Sequence, residues 1–266
     1  VKIFSALLLS LSGTSALADV PLAVLPQIAA ADIVVIGEIH DNPEHHLQQA
    51  LLSEPAAAIV FEMLTPEQAK RVSPELAQDE AALEAALGWN ASGWPDFSMY
   101  YPIFRAGAEA VIFGAAVPRE TARNAMADGI TVAFGAGAAD YDLTETLAPD
   151  EYDSRIDLQR KAHCGALPED VLPAMVDIQR LRDARLAQVA MQAFDQTGGP
   201  VIVITGNGHA RADWGVPRQL HGIRPDLRVF TILQGEDGEP PEGEADLILT
   251  QAAAVERPDP CLAFTK

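Results

Sequence analysis

Basic residues are scarce in this chain: 18 Lys and Arg stand against 38 Asp and Glu, for a formal net charge of −20 over 266 residues. That charge repels phosphate backbones and anionic headgroups, which excludes nucleic acid and an anionic membrane surface as partners. Long apolar runs are missing too, so no membrane span is expected. Gly206-Asn207-Gly208 lacks the Lys-Ser or Lys-Thr that would follow in a phosphate loop. No internal repeat divides the chain. Cysteine is limited to Cys164 and Cys261. In an oxidising compartment an even pair reads as one disulfide, here tying the C-terminal tail to the middle of the chain. The competing reading, Cys164 beside His163 as metal ligands, lacks a zinc-like spacing.

Residues 1–18 read as an export signal. Lys2 supplies the positive start, 3–11 an apolar core too short to anchor in a bilayer, and Ala16-Leu17-Ala18 a small-residue cleavage site. No cysteine lies near that site to accept a lipid. Residues 19–266 are then expected as a single domain, periplasmic or secreted and soluble after cleavage.

What is present is a regular alternation of strand and helix. The run Ile33-Val34-Val35-Ile36 has the composition of a strand buried on both faces, and Asn42-Pro43-Glu44 is a helix start with N-cap, proline and acid in order. Further strands are expected at 57–63, 110–117, 200–205 and 228–233, with a short sixth candidate at 246–249. Helices are expected at 44–52, from Thr65-Pro66-Glu67 through 76, and over 79–87 and 97–108. The stretch 151–194 is helical in pattern, so about 141–194 is expected as a helical cap. The fold class is α/β: a mostly parallel sheet of about five strands flanked by helices.

Four strands end in polar residues: Glu38 and His40, Glu62, Arg119, and Asn207 with His209. In a parallel sheet these ends share one edge, so residues remote in sequence converge there. Glu38 and His40 are two apart and point the same way if the backbone is extended. Each residue alone has a plainer reading as a cap, a turn or a salt-bridge partner. On the long helix Gln179, Arg182, Asp183 and Leu186 share a face that is either amphipathic surface or site-facing. Glu38, His40 and His209 could hold a divalent metal such as zinc, and Glu38, His40, Glu62 and His209 could serve a metal-assisted or general-base hydrolase.

The run Gly37-Glu38-Ile39-His40-Asp41-Asn42-Pro43 with His45-His46, the pair Phe61-Glu62, and Gly206-Asn207-Gly208-His209-Ala210-Arg211 followed by Gly215-Val216-Pro217 resemble the ChaN-like haem-binding uptake proteins. Trp94-Pro95 with Tyr100 and Pro102, Pro118-Arg119, and Gln179 with Arg182-Asp183 fit the same pattern. The resemblance spans about 30–235, within a wider superfamily that includes Tiki-type proteases and erythromycin esterases. It implies an exported haem-binding protein of iron uptake, a haem-mediated homodimer, and contact with outer-membrane haem-uptake machinery. It also implies a tyrosine ligand to iron. Of Tyr100, Tyr101, Tyr141 and Tyr152, Tyr100 is expected because it sits in the matched aromatic stretch, with Tyr101, His40, His209, Arg119 and Arg182 around the haem. The chain departs from the family pattern at Ala116, where an Asn is expected, and in lacking a lipid-accepting cysteine.

Overall fold

The computed structural model describes residues 20–253 together with Arg257 and Cys261; the expected signal segment 1–18 lies outside the described residues. The elements are α1 (Leu25–Ala30), β1 (Ile33–Glu38), α2 (Pro43–Ser53), β2 (Ala58–Phe61), α3 (Pro66–Ala69), α4 (Glu80–Leu87), α5 (Phe97–Ala106), β3 (Val111–Gly114) and α6 (Arg119–Asp128). They continue with α7 (Ile130–Phe134), α8 (Pro149–Ala162), α9 (Leu172–Thr197), β4 (Val201–Gly206), α10 (Asn207–Ala210), α11 (Val216–Ile223), β5 (Val229–Glu236) and β6 (Leu247–Gln251). The six strands form one parallel sheet in the order β3-β2-β4-β1-β5-β6. The short sixth candidate is a true strand, paired with β5.

Period-two alternation divides the core in two. Val34, Ile36, Ile59, Phe61, Ile202, Ile204 and Ile232 face α2, α4 and α5, while Ile33, Val35, Val60, Val201 and Val203 face α7, α9 and α11. Both sets are buried, which is why these strands read as unbroken apolar runs. The expected helical segment supplies α9, whose Leu181, Ala184, Ala187 and Ala190 pack on the second sheet face, with α8 against it. The helix expected from 66 to 76 is only α3: a capping box of Thr65 and Gln68 starts it, and it closes at Lys70 before Ser73-Pro74. Asp79 caps α4 and Gly88 ends it in a left-handed conformation, as the local sequence requires.

The topology places the site. Neighbouring strands β1 and β4 send the chain in opposite directions, β1 to α2 on one face and β4 to α10 and α11 on the other. A crevice therefore opens between their C-terminal ends. Asn207 bridges that crevice: its amide nitrogen donates to the Gln234 carbonyl (2.7 Å) and its oxygen accepts from the Gln234 N–H (3.0 Å). Only glycine fits beneath it at 37, since a Cβ there would lie 2.4 Å from the Asn207 Oδ1. The C-terminal segment is tied down by the Cys164–Cys261 disulfide across 97 residues, which removes the reading of Cys164 and His163 as metal ligands. Arg257 reinforces it, holding Asp41 (2.6 Å) and Glu236 (2.7 Å).

Two outcomes follow. Gly37→Ala should push Asn207 off Gln234 and lower unfolding free energy by about 1–3 kcal/mol, the usual cost of an overpacked core position, measured by chemical denaturation. Thiol counting under denaturing, non-reducing conditions should find no free thiol, and Cys164→Ser should cost up to about 4–5 kcal/mol through loss of loop closure.

Candidate functional site

Glu38, the last residue of β1, is fully buried and acts as the hub. Its Oε1 accepts from His40 Nδ1 (2.7 Å) and the Tyr100 hydroxyl (2.6 Å), and its Oε2 accepts from Gln49 Nε2 (2.7 Å). His46 Nδ1 lies 3.4 Å from Oε2. Burial opposes the charge on Glu38, yet His46 and His40 outweigh it and hold the carboxyl well below the usual range. Both ring nitrogens of His46 face acceptors, Gln49 Oε1 and the His40 carbonyl; burial disfavours its charge, and the Glu38 carboxylate reverses that and raises its pKa. His45 is the opposite case. It accepts from the Ile39 N–H at Nδ1 and donates from Nε2 to the Gly235 carbonyl, and burial keeps it neutral.

A second cluster abuts the first. Glu62, just past β2, accepts from the Thr205 hydroxyl (2.6 Å) and the Gly206 N–H (2.9 Å), and its Oε1 lies 3.6 Å from His209 Nε2. His209 Nδ1 donates to Asp183 of α9 (2.6 Å), and Asp183 faces the buried Arg155 of α8 at 3.6 Å. Arg155 in turn holds Glu151 and the Trp214 carbonyl. Burial disfavours the charge on His209, but Glu62 and Asp183 raise its pKa; burial raises that of Asp183. Glu62 is lowered, because His209 and His40 overcome its burial. The clusters meet at Gly206, where a Cβ would sit 3.0 Å from His40 Nε2 and 3.9 Å from Glu62. Burial works against the charge of His40, and the Glu38 carboxylate reverses that, raising its pKa to about 9.

Beside the clusters lies a cleft of about 360 Å³, walled by Glu62, Met63, Trp94, Val117 and Leu186, with Arg119 and Arg182 also on its lining. His40 lies behind one lining residue: its side chain is 36% exposed and its ring sits 4.9 Å from that of Trp94. The structure thus brings Glu38, His40, Glu62 and His209 together, with Arg119 and Arg182 on the adjoining cleft. Gln179 and Asp183 face the site, Gln179 through the Gly208 carbonyl.

Three expectations change. Tyr100 is fully buried, against His46 and Trp89, with its hydroxyl spent on Glu38. Burial and the Glu38 charge push its pKa far above the ordinary phenol value, so it is a hydrogen-bond donor here and not a phenolate awaiting iron. Tyr101, the next residue, is half-buried against Phe97. Secondly, among the described residues no group of three or more His, Cys, Asp or Glu is arranged to hold a metal ion. The expected set Glu38, His40 and His209 is not assembled because Glu38 is saturated by donors and His209 is turned to Asp183. Thirdly, despite burial, Glu38 raises the pKa of His40, and Glu62 with Asp183 raises that of His209, which weakens the general-base reading. The roles of Gln49, His46 and Arg155 went unread; the His45-His46 pair one turn after Asn42-Pro43 was the available signal, and Arg155 offered none.

The sequence signature described as haem-binding uptake, Tiki superfamily, ChaN matches residues 24–220. This chain belongs to the ChaN family. Its fold is similar to that of a ChaN of Campylobacter jejuni whose structure is described as showing cofacial haem binding. That pair shares 19% identity at a TM-score of 0.62, covering 85% of this chain and 89% of the other. A more remote likeness, to the type III effector HopBA1, has 15% identity and a TM-score of 0.44 over 85% and 91% of the two chains, and bears on nothing further. No curated protein matches the chain.

The ionic clusters of this ChaN-family chain have an opposed pH dependence. The pKa of His40 is raised above 6.5, so its contribution to stability is present below about 6.5 and lost as pH rises through about 9. Those of Glu38 and Glu62 are lowered, so their contributions are present above about 4.5 and lost on acidification. Denaturation midpoints should therefore peak between about pH 5 and 7 and decline toward pH 10, and Glu38→Gln should reduce the alkaline decline, leaving the part due to His209.

Proposed function

We propose that this chain is an exported haem-binding protein acting in haem uptake, with the cleft beside the strand ends as its haem site. The observation that carries the reading is the pairing of apolar side chains with two guanidinium groups that form no ion pair among the described residues. Trp94, Met63, Val117 and Leu186 offer a surface for a flat macrocycle, and Arg119 and Arg182 are suited to its two carboxylates. Export is supported by the disulfide, which persists in an oxidising compartment.

His40 is the residue we assign to the iron. Its Nδ1 is held by Glu38, its Nε2 makes no hydrogen bond among the described residues, and its ring lies against a wall of the cleft. A carboxylate behind an imidazole fixes the ring, and iron would take the place of the proton that Glu38 favours on Nε2, so haem binding should strengthen as pH rises. When bound, haem would supply a ferric centre to be carried. The chain's part is to hold it, shield one face and balance its charge. The open side of the cleft leaves the other face for a second copy of the chain.

A haemin titration followed at the Soret band tests this. Wild type should show a saturable shift, His40→Ala should lower affinity at least tenfold, and Arg119→Ala with Arg182→Ala should weaken binding in a salt-dependent way. Tyr100→Phe should leave the spectrum unchanged and cost about 1.5–3 kcal/mol of stability, the price of removing one donor from a buried carboxylate. A spectrum indifferent to His40 but altered by Tyr101→Phe would return the ligand to a tyrosine, and absence of any saturable shift would overturn haem binding.

A further inference from the structure

Three guanidinium groups gather around two adjoining clefts. Arg119 and Arg182 line both the haem-site cleft and a neighbouring, more open cleft of about 410 Å³, and Arg123 lines the second cleft with Met126 and Ile178. Among the described residues none of the three forms an ion pair or a hydrogen bond. By contrast Arg155, Arg160, Arg218, Arg228 and Arg257 each hold a carboxylate. Acids outnumber bases by 38 to 18, so leaving these three unpaired runs against the composition of the chain.

The placement is also locally unfavourable. Arg119 opens α6, where the helix dipole repels a cation and no side chain caps the free N–H groups. Arg123 lies four residues on, on the same face, where like charges repel. Glu120, the acid of that first turn, makes no ion pair with either arginine among the described residues, so the two charges point outward, to a ligand. Haem presents two carboxylates, which Arg119 and Arg182 match. Arg123 is left over, beside two apolar side chains, Met126 at 46% exposure and Ile178 buried. That combination suits a carboxyethyl arm, with methylenes against Met126 and Ile178 and a carboxylate at Arg123. A vinyl group in the same place would leave the Arg123 charge unanswered.

We infer that Arg123 gives this site a preference for tetrapyrroles bearing more than two carboxylates, of the tetracarboxylate coproporphyrin class, over the dicarboxylate protoporphyrin and haem. The inference rests on the haem-site reading above.

Fluorescence titration of the full chain with metal-free protoporphyrin IX and coproporphyrin III, beside the haemin titration, separates the two. Coproporphyrin III should bind about fivefold more tightly than protoporphyrin IX, the size of one well-aligned exposed ion pair, and with a steeper salt dependence. Arg123→Ala should lower affinity for coproporphyrin about fivefold more than for protoporphyrin, and Arg123→Lys should restore part of the difference. Equal affinities in wild type, or an equal loss for both porphyrins in Arg123→Ala, would overturn the preference while leaving haem binding standing. Failure of haemin and of both porphyrins to bind would overturn both readings.

Discussion

The structure is arranged around one buried negative charge. Glu38 ends the central strand β1 with no exposure to water, and an unpaired carboxylate there would be far too costly to keep. Four residues from three elements answer it. The β1–α2 turn brings His40, α2 brings His46 and Gln49, and α5 brings Tyr100. The aromatic cluster of Trp89, Phe97 and Tyr100 then serves less to fill space than to fix a hydroxyl on a carboxylate. Such a network is stable only when every member is satisfied, which explains how tightly this corner of the fold is specified.

The second hub, Glu62 with His209, repeats the solution one strand pair away, with Asp183 and Arg155 as outer partners. Together the hubs form a floor of alternating charge beneath the strand ends. The cleft beside it is lined by both apolar side chains and the guanidinium groups of Arg119 and Arg182. The charges of the floor pair with one another, whereas Arg119, Arg123 and Arg182 form no ion pair among the described residues.

The elements legible before the structure were those with strong local signals. Ile33 to Ile36 and Pro200 to Thr205 announced doubly buried strands, and Asn42-Pro43-Glu44 and Thr65-Pro66-Glu67 announced helix starts. The length of the helix after Thr65 was not legible, because Val72-Ser73-Pro74 ends it through backbone restriction that composition alone understates. Glu38, His40, Glu62 and His209 could be placed together because strand ends of a parallel sheet share one edge.

What the sequence determined by itself was therefore the α/β class, the strand-end acids and histidines, the cysteine pair and the family, since each rests on local pattern or on short motifs. What only the tertiary structure decided was which of those groups spend their hydrogen bonds on one another. Tyr100 and Glu38 are 62 residues apart, and Asp183 and His209 are 26 apart on different elements. Their pairing depends on how α5 and α9 pack against the sheet, not on any signal near either residue. The same packing buried Tyr100, left His40 partly exposed beside Trp94, and left Arg119, Arg123 and Arg182 without ion pairs among the described residues. A side chain's chemistry is written in the sequence, but its availability follows from solvent access and from which neighbour reaches it first.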